Sequence, residues 1–166
     1  MEDYILNDHN KDEFPPAHTA EHLLNQLMMR MFSCERSNNA HIERKKSKIS
    51  YILDHKPDRK EEREIERQMN ELIEQDLTVT FQFVTRAELE GIIMEAEEDS
   101  PESRMDLERL PTDASDTIRL VRIGDYDVCP CIGKHVRSTS QIGRFEMLGT
   151  NWDNDRMAFR IRYKIV

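Results

Sequence analysis

Apolar positions along the chain change their spacing several times, and each change marks an element. After the pair Pro15-Pro16, the run from Ala17 to Phe32 is apolar over much of its girth, through Leu23, Leu24, Leu27, Met28 and Met31. His18, His22, Asn25, Met29 and Phe32 lie on or near one face of the same run. A helix apolar nearly all round belongs in a core, so the spacing predicts a buried helix and sets two imidazoles in a partly dry place. The prolines punctuate the chain before it, and residues 1–16 are expected to form an irregular arm. Two short strands, Ala40–Arg44 and Lys48–Leu53, follow, with Lys45-Lys46-Ser47 as the hairpin turn; Ile49, Tyr51 and Leu53 alternate with polar residues, as a half-buried strand requires. Pro57 suits a first helical turn, and Ile65, Met69, Leu72 and Ile73 on a charged background predict an amphipathic helix to about Gln75. Thr78–Val84 alternates again, and Thr85 with Glu88 forms a capping box for a short helix. The last third is β-rich: Ile118–Ile123, Arg144–Leu148 and Met157–Val166, with a turn at Asn151–Asp155. One domain over 1–166 is expected, α+β, with a mostly antiparallel sheet packed against helices and the long ligand-bearing helix first.

Charge changes this picture only locally. The chain of 166 residues carries a formal net charge of −9, which taken alone disfavours nucleic acid. From Arg86 to Asp116, however, there are eleven acidic and three basic residues, whereas Thr117 to Val166 holds nine basic and five acidic ones. The stretch 96–116, with Pro101 and Pro111, reads as an exposed acidic loop. The basic half can still meet phosphates, because the field that matters acts within a Debye length of about 8–10 Å. There is no run of 18 apolar residues and no basic and apolar leader at the N-terminus, so no membrane contact and a cytoplasmic location are expected. Three cysteines, an odd number, argue for thiol or metal chemistry over a disulfide framework. Cys34 is expected to act as a small hydrophobe closing the first helix.

His18-Thr-Ala-Glu-His22 places two imidazoles one helical turn apart, where both reach one ion. It is not a zincin helix, which needs Glu directly after the first His to act as base; here Glu21 precedes the second. Cys131-Ile-Gly-Lys-His135 supplies a second pair at the same spacing. A thiolate and imidazoles are preferred zinc donors, and four of them make a tetrahedral set. The candidate zinc ligands are therefore His18, His22, Cys131 and His135, with Cys129 the rival of Cys131. Gly133 allows a tight turn between ligands or a close approach to substrate. Four protein donors close a zinc site, whereas catalytic zinc keeps one position open; either one ligand is loose, or the zinc organises a substrate pocket while water is activated otherwise.

His18-Thr-Ala-Glu-His22-Leu-Leu resembles the HxxxH motif of the editing domain of alanyl-tRNA synthetases and of their free-standing AlaX relatives. Cys131-Ile-Gly-Lys-His135-Val is similar to that family's CxxxH motif, and Ser138-Thr-Ser-Gln-Ile-Gly-Arg-Phe145 to the segment that follows it. The likeness runs from about Pro16 to Val166, and a related editing domain in threonyl-tRNA synthetases carries similar motifs. The resemblance implies a zinc-dependent hydrolase that cleaves the ester of a wrong amino acid, serine or glycine, from tRNA(Ala) in trans. It implies the same four ligands and gives Thr19 a place at the amino acid. Gly133 and Lys134 also fall at the substrate, and Lys134 stands where the family has threonine. The family's Gln-x-Gly-Ser stretch has no clean counterpart near Ser37-Asn38-Asn39-Ala40. Lys45, Lys46, Arg137 and Arg144 are candidates for tRNA phosphates; ATP is not expected, and no catalytic residue is assigned beyond the metal site. The competing readings are a non-catalytic, zinc-stabilised tRNA- or protein-binding module and an unrelated metallohydrolase of small esters or amides.

Overall fold

The computed structural model describes residues 13–110 and 117–166. The first helix, α1 (Pro15–Phe32), begins two residues before the expected start, with both prolines inside its first turn. Proline suits that position because the amide it lacks has no intrahelical partner there. The expected arm therefore ends by Phe14, and its first 12 residues fall outside the described ones. Ser33, at a φ of +54°, closes the helix by donating its amide to Met29. Leu23, Leu24, Leu27 and Met28 are fully buried, each contributing about 1.5–3 kcal/mol of transfer free energy.

β1 (Asn39–His41) and β2 (Ser47–Ile52) form the expected hairpin. Its link is longer than predicted, and Ser47 belongs to the strand, where its hydroxyl ties Glu43 back across the turn. α2 (Arg59–Glu74) starts at an Asp58–Glu61 capping box and buries Ile65, Met69, Leu72 and Ile73. β3 (Val79–Thr85) leads into α3 (Arg86–Met94), which carries the capping box of Thr85 and Glu88. β4 (Thr117–Ile123), β5 (Asp127–Pro130), β6 (Phe145–Asp153) and β7 (Ala158–Ile165) complete the fold.

The architecture is α+β and antiparallel throughout, but with two sheets rather than one. A four-stranded sheet runs β1-β2-β7-β6 and a three-stranded one β3-β4-β5. α1 touches both, through β5 and β7, and this is why it is apolar nearly all round. One continuous core joins Leu23, Leu24 and Leu27 to Tyr51, Phe159 and Tyr163 on the first sheet and to Val79, Val121 and Ile123 on the second. β5 was not expected; four residues give too short a pattern to stand out. β6 runs through Asn151, Trp152 and Asp153, so the expected turn shrinks to the residues after Asp153.

The acidic stretch is not simply exposed. Two 3-10 turns, Glu102–Arg104 and Leu107–Arg109, present Met105, Leu107 and Leu110 to a second apolar cluster of Val84, Leu89, Ile118, Leu120 and Val128. That cluster covers the face of the three-stranded sheet turned away from α1. Residues 111–116 fall outside the described ones. Among the described residues no helix is long and apolar enough to cross a membrane.

Candidate metal centre

β5 aims its side chains by simple alternation. Asp127 and Cys129 lie two apart on the face turned to α1, and the chain continues through Pro130 to Cys131. Opposite them, α1 presents His18 and His22 from successive turns. His135 comes from the loop after β5, and one donor atom from each of His18, His22, Cys131 and His135 lies within 4.8 Å of the others. The Cys131 thiol sits 3.6 Å from His18 Nε2 and 3.6 Å from His135 Nε2. The His18 and His135 rings stack at 4.3 Å, and the His22 ring meets that of His135 edge-on at 4.5 Å.

The outer nitrogen of each imidazole faces an oxygen, within hydrogen-bond distance at His18 and His135 and somewhat beyond it at His22. His18 Nδ1 lies 3.0 Å from the Lys134 carbonyl, His135 Nδ1 lies 2.9 Å from the Thr19 hydroxyl, and His22 Nδ1 faces the Asp127 carboxylate at 3.6 Å. Oxygen acceptors on the outer nitrogen fix the tautomer that leaves Nε2 free for an ion, as metal-binding histidines require. The donor set and its orientation fit a divalent ion of zinc's preference.

Electrostatics separates the two rival cysteines. Burial raises the thiol of Cys131, but the charge of His22 and the hydrogen bonds of His135 and His18 outweigh it and pull it down to about 2. Cys129, also buried, is pushed up, and its thiol turns to the Pro130 carbonyl. Of the pair, it is Cys131 whose sulfur stands among the three imidazoles. Burial likewise opposes charge on His22, yet the Cys131 thiolate and the Asp127 carboxylate raise it well above its ordinary value. His135 is lowered to about 4, by burial first and by the neighbouring imidazoles after it.

Asp127 was absent from the sequence-based expectation, together with the residues that hold it. It is fully buried and accepts a hydrogen bond from Gln26 Nε2 at 2.9 Å and a short ion pair from Arg36. Burial pushes its carboxyl up, and the Arg36 guanidinium with His22 more than reverses this, to about 2. The Asp127-Val-Cys129-Pro-Cys131 spacing was the available signal, a strand-like alternation of polar groups leading into the ligand loop.

Thr19 is fully buried, and its hydroxyl is committed to His135 and to the Val136 amide at 3.2 Å. Its place is behind a ligand. Gly133 leaves room for a ring: a Cβ there would lie 2.1 Å from His18 Cε1. Arg119, also unforeseen, donates its Nε to the Cys131 carbonyl at 2.7 Å and an Nη to the Gly133 carbonyl, pinning the loop. Lys134 is exposed beside His135, and its amide is held by Glu13. Arg137 is exposed two residues on. Arg44 stacks over Phe14 just ahead of α1, drawing the link with exposed Lys45 and Lys46 toward the helix end that carries His18. Arg144 lines a groove with Arg63 and Arg67 that shares no residue with the centre. A cavity of about 530 Å³ adjoins the inner end through Arg36 and Cys129, and none of the four ligand residues lines it.

Residues 118–162 match the family described as the threonyl and alanyl tRNA synthetase second additional domain. The chain is 30% identical over 131 residues, 79% of its length, to the alanyl-tRNA editing protein AlaX-L of Pyrococcus horikoshii, covering 29% of that protein. It is 27% identical over 146 residues to an alanine–tRNA ligase of Methanococcus vannielii, with 87% of this chain and 15% of the ligase aligned. A Treponema denticola alanine–tRNA ligase is 28% identical over 141 residues, 84% of this chain and 21% of the ligase. The chain thus spans less than a third of the length of these relatives. By its two ligand motifs and by these likenesses, it is an AlaX-like domain, similar to the editing domain of alanyl-tRNA synthetases.

Proposed function

We propose that the chain is a zinc-dependent deacylase that hydrolyses mischarged tRNA, Ser-tRNA(Ala) or Gly-tRNA(Ala), in trans. The observation that carries this reading is the convergence of three imidazoles and one cysteine sulfur, two of the imidazoles hydrogen-bonded through their outer nitrogen and the third, His22, facing the Asp127 carboxylate. The name of the AlaX-L relative, an alanyl-tRNA editing protein, supplies the substrate class.

His18, His22, Cys131 and His135 would hold the ion, which supplies a fixed positive charge and Lewis acidity at the substrate. An aminoacyl ester is already activated, so orientation and charge stabilisation are the main demands. Asp127 and Thr19 position His22 and His135; Arg119 fixes the loop that carries Cys131. Lys134, exposed next to His135, offers a cation to the substrate, and Arg137, Lys45 and Lys46 offer charges to tRNA phosphates. At His18 the Glu21 carboxylate lies 3.6 Å from Nε2, the nitrogen that would face the ion, while Glu13 at 3.5 Å joins the Lys134 carbonyl on the outer Nδ1.

A second reading is a zinc-stabilised, non-catalytic tRNA-binding module, favoured by the four protein donors that can close a tetrahedral site. Release of serine from Ser-tRNA(Ala), run beside Ala-tRNA(Ala) and with His22→Ala as control, separates the two. Serine loss that depends on His22 supports the deacylase. Tight tRNA binding by zinc-loaded protein without serine loss supports the binding module and sinks the deacylase.

A further inference from the structure

β3 is an edge strand of the three-stranded sheet, its outer side met by the ligand loop only at its start. Its alternation sets Val79, Phe81 and Phe83 on the face that carries the metal centre, through the registers Val79↔Ile123↔Asp127 and Phe81↔Val121↔Cys129. Along that row the strand leaves the core: Val79 is 8% exposed, Phe81 48% and Phe83 61%. An edge strand with two protruding phenylalanines is a liability that a plain surface would blunt with charge. Here Phe81 has a cation against it. The Arg119 guanidinium lies 4.5 Å from the centroid of Phe81, and the His135 ring lies 6.4 Å from it on the way to the centre. Arg119 is itself held by the Cys131 and Gly133 carbonyls, so its plane is fixed. The ligand loop runs alongside, the Arg137 carbonyl accepting the Val79 amide at 2.8 Å. From Val128 to Phe145 this acidic chain carries Lys134, Arg137 and Arg144 and no acidic residue at all, and β3 has no charge of either sign.

We propose that Phe81 and Phe83, with Arg119, form a stacking platform for the unpaired nucleotides at the 3′ end of the tRNA. The proposal deepens the deacylase reading and rests on it for the identity of the nucleic acid. Flat aromatic faces beside fixed cations are what single-stranded nucleic acid requires: bases stack on the rings while the backbone meets Lys134 and Arg137. The platform reaches to the rim of the centre, so a terminal nucleoside stacked on Phe81 brings its ester to His135. Phe83, farther out, takes the preceding base.

The test uses a short RNA ending in CCA whose terminal adenine is replaced by the fluorescent base 2-aminopurine. Stacking is expected to quench the probe as it binds. Phe83→Leu, which keeps an apolar side chain but loses the ring, is expected to weaken binding by about 10-fold or more, and Phe83→Trp to retain it. Zinc content and melting temperature are expected to be unchanged in both, since Phe83 is 61% exposed and belongs to neither apolar cluster. Binding by Phe83→Leu within about twofold of wild type, or a complex without quenching, overturns the platform. So does a wild-type dimer that Phe83→Leu dissociates, which would give the patch to a second copy. The two readings fail separately. A quenched probe with no serine release from mischarged tRNA removes the deacylase alone, and unchanged KM for mischarged tRNA in Phe83→Leu removes the platform alone.

Discussion

The candidate centre has two ends built on opposite plans. At the inner end His22, 4% exposed, faces a carboxylate that is itself clamped by Gln26 and Arg36 inside the protein. At the outer end His18 leans on a backbone carbonyl and on Glu13, beside exposed Lys134. The inner end is part of the core and can move only if the core moves. The outer end is held by a loop and can yield. One set of four donors thus combines a rigid seat with an adjustable rim, the division of labour that a site handling a bulky substrate needs.

That contrast is open to attack from both sides. The largest effect is expected from Asp127→Ala, which leaves Arg36 and His22 without their buried counter-charge. A loss of about 3–5 kcal/mol in stability, read by denaturant unfolding, follows from stranding a buried ion; a loss below about 1 kcal/mol would place Asp127 among surface-like pairs and erase the inner end's rigidity. Next, if the four donors hold zinc as proposed, His22→Ala is expected to abolish zinc binding and, with it, a marked share of thermal stability, because metal binding contributes folding energy. Elemental analysis and a melting curve check both, and full zinc with unchanged melting would count against the centre. Gly133→Ala pushes a methyl into His18; deacylation is expected to fall at least 10-fold by displacement of a positioned group, with stability nearly intact. Lys134→Ala comes last, touching only the rim. A rise of a few-fold in KM that shrinks at high salt, with kcat and zinc content unchanged, is the expected signature of a screened surface charge.

The sequence revealed one of these ends better than the other. Helix-borne ligands are legible because the period of the helix puts His18 and His22 on one face whatever surrounds them. The loop pair is legible through its spacing, and the capping boxes at Asp58 and Thr85 show how local rules survive into the fold. The second sheet and the buried support of His22 were not legible. Gln26, Arg36 and Asp127 are 101 and 91 positions apart across their bonds, and no local pattern announces a partner at that range. Long-range pairing also decided that β5, four residues long, would be a strand at all. Acidic residues 96–110 looked soluble by composition, yet three apolar side chains among them were enough to anchor the stretch on the second cluster.

Helix α1 carries two sets of instructions in one register. Its leucines face the core on both sides, and its ligands sit one turn apart toward β5. Inserting a single residue within it would rotate everything beyond by about 100°, turning His22 away from Asp127 in the same motion that turns Leu23 and Leu24 away from the sheets. The helix therefore has no neutral length variants: drift there is confined to substitution, whereas the β1–β2 link, which carries neither pair, can lengthen or shorten without disturbing their alignment.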